Sequence, residues 1–196
     1  MSRPDFRAIV GWIAPRSRVL DLGCGDGTLL AHLTREKQVR AYGIEIDHAS
    51  VVSCVANGVN VLQRDLEGGL AEFDDQSFDY VILSQTLQAM RHTEQTVSEM
   101  LRVGREAIVT FPNFGYWRHR LDILRGRMPV SDSLPYQWYN TPNIHLCTLK
   151  DFEGLCAKLK VNVVERVVLT EGRAVTLLPN LLGDLAVYRC KLLSIP

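Results

Sequence analysis

The segment Asp21-Leu22-Gly23-Cys24-Gly25-Asp26-Gly27 holds the residue types that most directly suggest chemistry. Glycines at alternate positions let a backbone turn sharply and approach a ligand with no side chain in between. The run Arg18 to Leu22 leading into it reads as a buried strand, and Thr28 to Glu36 after it as a helix. A glycine loop between strand and helix is the setting in which such a motif acquires meaning. Glu45 follows near the end of a second strand-like run, Ala41 to Ile46. A carboxylate at that place accepts hydrogen bonds from both hydroxyls of an adenosine ribose.

The spacing separates ligand classes. A dinucleotide fingerprint runs G-x-G-x-x-G and aims its helix N-terminus at pyrophosphate. Here the third glycine comes one residue early, as G-x-G-x-G, and the acid Asp26 sits inside the loop. An added negative charge is a poor neighbour for pyrophosphate and an acceptable one for an ammonium or a sulfonium. No Gly-Lys-Ser/Thr follows, so a P-loop is excluded.

The elements that must position this loop alternate along the chain. Phe6, Ile9, Val10 and Ile13 mark an opening amphipathic helix, with Asp5 as its expected cap and Pro15 as its stop. Ala49 to Ala56 reads as a helix stopped by Asn57-Gly58, and Val59 to Gln63 as a third strand. Phe78 to Ser84 is apolar on both faces, as a central parallel strand should be. Thr93 to Val103 reads as a helix closed by Gly104 in the left-handed conformation. Ala107 to Phe111 is a fifth strand ended by Pro112. Leu149 to Leu159 is helical, Val161 to Leu169 extended, and Val187 to Leu192 the final strand. Alternating βα units predict an α/β fold, a doubly wound and mostly parallel sheet with helices on both faces.

Composition bounds the function. The chain has 196 residues, 46% of them apolar, and 22 Lys+Arg balance 22 Asp+Glu. One domain spanning 1–196 is expected. Zero net charge argues against a dedicated nucleic-acid binder. Pro179, Gly183 and Asp184 break the longest apolar stretches, so no membrane span is expected. The charged N-terminus does not read as a signal peptide. Five widely spaced cysteines with no C-x-x-C support neither a metal site nor a disulfide framework, and a reducing, cytoplasmic home fits them.

VLDLGCGDG, YGIEID and LQRDLEGGLAEFDDQSFDYVILSQTLQAM together resemble the class I S-adenosylmethionine-dependent methyltransferases. The resemblance implies their Rossmann-like fold: a seven-stranded sheet with an antiparallel last strand. It also implies a cofactor, S-adenosylmethionine or S-adenosylhomocysteine. Asp21 and the loop Gly23, Cys24, Gly25, Asp26 and Gly27 would face the methionine moiety. Glu45, with Ile46 beside it, would face the ribose, and Asp65 with Leu66 the adenine. Ser84 and Gln85 would lie at the reactive end. The second half is more specific. GYWRHRLDILRGRMPVS and LPYQWYNTPNIHLCTLKDFE resemble the MetW family of methionine biosynthesis, and with the first half the similarity spans nearly the whole chain. That family is associated with homoserine O-acyltransferase. The resemblance therefore implies a cofactor-binding accessory to an acyltransferase, with methyl transfer on a small molecule as the alternative.

No general base emerges from the residues. After the fourth strand the chain offers Gln85 and Gln88, and an amide cannot take a proton near neutral pH. His92, between Arg91 and Thr93, reads as a solvated residue at a helix start. Phe111-Pro112-Asn113-Phe114 lacks the Asn/Asp-Pro-Pro-aromatic signature of amino-group methylation.

Residues 111–145 change texture, holding four of the eight prolines and seven of the fifteen aromatics. Tyr116, Trp117, Tyr136, Trp138 and Tyr139 are interleaved with Arg118, His119, Arg120, Arg125 and Arg127. This insert is where a substrate or partner would be read: as a protein-docking surface first, as a lid second, as an RNA strip last. His145 would line the pocket or serve as a hydrogen-bonded loop residue. The insert's arginines contrast with residues 65–79, which hold six acids and no base.

Overall fold

A computed structural model describes residues 3–193. Its strands are β1 Arg18–Leu22, β2 Arg40–Glu45, β3 Asn60–Gln63, β4 Phe78–Ser84, β5 Gly104–Pro112, β6 Val161–Thr170, β7 Arg173–Ala174 and β8 Leu185–Leu192. The helices are α1 Phe6–Trp12, α2 Thr28–Lys37, α3 His48–Ala56, α4 Thr93–Val103, α5 Trp117–Leu124, α6 Leu149–Lys158 and α7 Pro179–Leu182. One sheet runs β3-β2-β1-β4-β5-β8-β6-β7. Strands β1 to β5 pair in parallel, while β8 is antiparallel to both β5 and β6. The expected α/β sheet with an antiparallel last strand is therefore present. It has eight strands rather than seven, because β7 is a two-residue return that pairs with the end of β6.

Period-two alternation divides the core into two layers. Leu20, Leu22, Val81, Leu83, Val109 and Phe111 pack against Val97, Met100 and Leu101 of α4 and Phe152 of α6. On the other face Val19, Ile82, Ile108 and Val187 meet Phe6 and Ile9 of α1 and Leu29, Leu30 and Leu33 of α2. Along that second face the apolar pattern stops abruptly at the carboxyl ends of three central strands. Asp21, Ser84 and Thr110 occupy the positions after Val19, Ile82 and Ile108, and all three are buried. Such strand ends are where open α/β sheets bind ligands.

Two local expectations are corrected. Gly104 is extended, with φ of −109°, and opens β5 directly. What it supplies is a close approach: a Cβ there would lie 2.6 Å from Val81 Cγ2. Asp5 occupies the cap position of α1, but its side chain makes no capping bond. Its carboxylate turns into the sheet instead. Oδ2 accepts from Arg3 Nη2 at 2.6 Å, from Ser84 Oγ at 2.8 Å and from Thr110 Oγ1 at 3.2 Å.

Candidate functional site

The glycine loop leaves β1 with three consecutive odd-numbered glycines, Gly23, Gly25 and Gly27, in the left-handed region. Its shape is fixed from β2: the N–H groups of Gly23 and Cys24 both donate to Ile44 O. Glu45 completes the bracket. Its Oε2 accepts from Gly25 N at 2.8 Å, and its Oε1 accepts from Ile46 N at 2.8 Å and Asp47 N at 3.0 Å. The loop and the acid read from the sequence as one site are joined by a direct hydrogen bond. Gly43 underlies this contact, since a Cβ there would overlap Cys24 Sγ and lie 3.1 Å from Cys24 Cβ. Gly43→Ala is expected to destabilise the protein by about 1–3 kcal/mol through overpacking, measured by urea denaturation. An unchanged midpoint would show that the loop can move aside.

A cavity of about 140 Å³ opens beside the loop, lined by Arg3, Phe6, Asp21, Gly23, Cys24, Gly25, Asp26, Thr28, Leu29 and Ser84. Asp21 is buried and its Oδ1 has no hydrogen-bond partner. Burial raises its carboxyl from the ordinary range to about 7. Asp26 differs: the Thr28 N–H donates to Oδ1 at 3.0 Å and holds that carboxyl below its usual range. Burial pushes the Cys24 thiol well up, so it is a neutral wall of the cavity, with its Sγ 3.6 Å from that of Cys54.

Of the remaining predicted contacts, only Ser84 lines this cavity. Ile46 is exposed beyond Glu45. Asp65 caps the short turn Leu66–Gly68 by accepting from Glu67 N, and Leu66 packs against the core. Ser84 is drawn into the Asp5 cluster, while Gln85 follows at φ of 53° with its N–H bonded to Thr110. Gln85 also lines a second cavity of about 720 Å³, shared with Arg3, Arg7, Asp132, Glu171 and Asp184.

The insert is tied down at several points. His119 is buried, with Nδ1 3.2 Å from Asn113 O and Nε2 3.0 Å from Ser131 Oγ. Desolvation lowers its pKa, so this histidine is a neutral hub of the insert. Tyr116 was expected on the substrate or partner side, but it is buried with its ring 5.3 Å from that of His119. A surface role is closed to it. Trp117 is exposed, with the Arg118 guanidinium 5.4 Å from its ring. Arg120 donates from Nε to Gly115 O. Tyr136, Trp138 and Tyr139 project outward, the last two 72% and 69% exposed. Ile144 and His145 both donate their N–H to Gln88 O, so the end of the insert borders the segment after β4. His145 is an exposed, hydrogen-bonded loop residue there.

The charge contrast resolves unevenly. The acidic stretch is met by arginines from elsewhere: Arg102 pairs with Asp75, Arg64 with Glu72, and Arg18 and Arg105 with Asp79. Arg118, Arg125 and Arg127 make no ion pair among the described residues, so the insert's positive charge stays open to solvent. Sequence reasoning missed Arg3, Asp5, Thr110 and Asn113. Asn113 is buried and holds the end of β5 by donating to Gly183 O at 2.7 Å.

Comparison with known proteins now bears on this geometry. The family described as Methionine biosynthesis protein MetW matches residues 3–190. The chain belongs to the MetW family. A curated relative, the bifunctional methionine biosynthesis protein MetXA/MetW of Rhodopirellula baltica, is 38% identical over 173 residues, which is 83% of this chain. The chain spans only 28% of that relative's length. Among solved structures, a SAM-dependent methyltransferase from Thermotoga maritima superposes with a TM-score of 0.68 at 17% identity, covering 96% of this chain and 87% of that one. The [4+2]-cyclase SpnF has the same TM-score of 0.68 at 16% identity, covering 96% and 81%. These likenesses establish a methyltransferase fold for this MetW-family chain. The cyclase among them shows that the fold by itself does not specify methyl transfer. No helix among the described residues is long and apolar enough to cross a membrane.

Proposed function

We propose that this MetW-family chain binds S-adenosylmethionine or S-adenosylhomocysteine at the glycine loop. We further propose that it acts as an accessory of a homoserine O-acyltransferase in methionine biosynthesis. The observation that carries the binding half is the Glu45 carboxylate. It is held by three backbone N–H groups at the end of β2, next to a loop whose glycines leave an open cavity. A carboxylate has about four lone-pair sites and three are taken, so Glu45 Oε2 retains capacity for one ribose hydroxyl. Asp65 and Leu66 flank the adenine side, and Ser84 and Gln85 the sulfonium end.

The Rhodopirellula relative supports the partner half, because one bifunctional chain carries both the MetXA and the MetW names. The insert supplies a surface of the kind partners use. Trp138 and Tyr139 are exposed with ring centroids 5.6 Å apart, and Leu124 is 84% exposed on α5 among unpaired arginines. Trp, Tyr and Arg are the types enriched at binding hot spots. The ligand is a downstream product of the pathway, so its occupancy would report methionine sufficiency to the acyltransferase, with a coupling of ~1–3 kcal/mol. Co-purification of the two proteins with and without S-adenosylmethionine tests this. Replacing Trp138 and Tyr139 together by Ala is expected to weaken the complex about 30-fold or more and leave cofactor binding unchanged. Failure to form a complex under either condition would refute the partner role. An unchanged acyltransferase rate would refute only the regulation.

A second reading, methyl transfer to a small molecule, draws on the 720 Å³ cavity at Gln85, whose walls carry Arg3 and Arg7 together with Asp132, Glu171 and Asp184. It predicts turnover of labelled S-adenosylmethionine that persists without the acyltransferase and vanishes in Glu45→Ala.

A further inference from the structure

Of the five cysteines, two meet at the glycine loop. Cys24 is the second residue of that loop, and Cys54 lies near the end of α3. Both side chains are buried, and their Sγ atoms are 3.6 Å apart as free thiols. Cys24 also lines the cavity of about 140 Å³, so one sulfur of the pair is reached from the ligand's side. Cys156 and Cys190 also contact each other, but in the other core layer, away from the loop.

The two sulfurs are part of what shapes the loop. Cys54 Sγ donates to Gly25 O at 3.1 Å, while Gly25 N donates to Glu45 Oε2 at 2.8 Å. Gly25 is therefore held from α3 on one side and from β2 on the other. Neither sulfur has slack around it: a Cβ at Gly43 would overlap Cys24 Sγ, and one at Gly27 would lie 2.9 Å from Cys54 Sγ. A disulfide needs its sulfurs about 2 Å apart. Closing the gap from 3.6 Å draws Cys24 off the Gly43 backbone toward α3. That pull runs against the bonds of Cys24 N to Ile44 O and of Gly25 N to Glu45, which tie the loop to β2. It also consumes the S–H that donates to Gly25 O.

We infer that Cys24 and Cys54 are a modification site: a dithiol that hydrogen peroxide oxidises to a disulfide, which pulls the loop off β2 and weakens the ligand. Two thiols and one peroxide give one disulfide and two waters. Cys24, the sulfur at the cavity, attacks a peroxide oxygen; the O–O bond breaks, and Cys24 becomes a sulfenic acid as the first water leaves. Cys54 then attacks Cys24 Sγ; the S–S bond forms, the S–O bond breaks, and the sulfenic oxygen leaves as water with the Cys54 proton. Burial pushes both thiols above their ordinary range, so the reaction is slow and answers sustained oxidation. A bound ligand covers Cys24 and protects the pair.

The effect on the ligand rests on the proposed nucleoside site, and two readouts keep them apart. The wild-type chain is treated with millimolar hydrogen peroxide, with and without S-adenosylhomocysteine, and peptide mapping by mass spectrometry locates the disulfide. The expected product is a Cys24–Cys54 bond, with the loss of two hydrogen atoms, formed more slowly when the ligand is present. Calorimetric titration should then show affinity for S-adenosylhomocysteine reduced about 10-fold or more, as the loss of one or two loop hydrogen bonds implies, and restored by dithiothreitol. Cys54→Ser keeps a hydroxyl donor for Gly25 O and cannot form the bond, so the same treatment should cost it far less affinity. An equal loss in that variant would overturn the inference, as would a Cys24–Cys54 bond with undiminished affinity. No disulfide, or one confined to Cys156–Cys190, would overturn it while leaving the nucleoside site standing. A reduced chain that binds no ligand would overturn the nucleoside site and the effect on affinity together, and the mapped bond would still decide the modification site.

Discussion

Glu45→Ala is expected to weaken S-adenosylhomocysteine binding about 100-fold or more. One hydrogen bond from a ribose hydroxyl to a carboxylate is worth ~1.5–3 kcal/mol, and at the upper end its loss alone accounts for that factor. A second effect acts in the same direction. Glu45 takes the N–H of Gly25, Ile46 and Asp47, and its removal leaves the middle of the loop at Gly25 untied, with only the Gly23 and Cys24 bonds to Ile44 O still holding the loop to β2. Glu45→Gln separates the two contributions. An amide oxygen still accepts from Gly25 N, while the amide NH2 can no longer accept from Ile46 N and Asp47 N, so this variant should retain the loop and lose the charge-assisted part, an intermediate loss of about 10-fold. Titration of each variant, with thermal melting as the control for folding, checks the order. Full affinity in Glu45→Ala would remove the acid from the site.

Asp21→Asn is expected to stabilise the unliganded protein and to weaken the ligand, with a pH dependence that identifies the cause. Burial lifts the Asp21 carboxyl to about 7 in the folded chain, while the unfolded chain titrates in the ordinary carboxylate range near 4. Between those values the folded state binds more protons than the unfolded state, so this group makes stability fall as pH rises. Above pH 7 the full cost of a buried ionised carboxylate is present, and below about pH 4 it is absent. An Asn carries no such charge. The variant should therefore gain about 3–4 kcal/mol at pH 8, roughly 6–16 °C in melting temperature for a chain of this size, and only about 1–2 kcal/mol at pH 5. Ligand binding runs the other way. An ammonium favours the ionised carboxylate, so wild-type affinity rises between pH 6 and 8, and the variant's does not. Melting both proteins at the two pH values is the check; an equal difference at both would assign the effect to packing.

Much of the frame is legible because local and tertiary signals agree. β1, β4 and α4 begin and end where the apolar runs predict, at Arg18–Leu22, Phe78–Ser84 and Thr93–Val103. Glu45 is legible for a related reason: a strand of fixed rise places its terminal acid beside the loop of its neighbour. What escaped depends on contacts distant in sequence. Asp5 stands where a helix cap should, yet its partners Ser84 and Thr110 lie 79 and 105 residues away. Gly104 looks like a helix terminator, and only the approach of Val81 shows why it must lack a side chain. In the insert no period exists to say which aromatics face inward. Tyr116 and Trp117 are adjacent and equally apolar, and the first is buried by the His119 hub while the second is not. Arg3 carries no motif at all; its importance comes from the fold bringing the N-terminal segment across the ends of β4 and β5.

The central claim is that the glycine loop and Glu45 form a binding site for S-adenosylmethionine and its product. Calorimetric titration of the wild-type chain with S-adenosylhomocysteine tests it most directly. The expected result is saturable one-to-one binding that Glu45→Ala abolishes. Absence of binding at millimolar concentration, for both S-adenosylhomocysteine and S-adenosylmethionine, would contradict the site assignment.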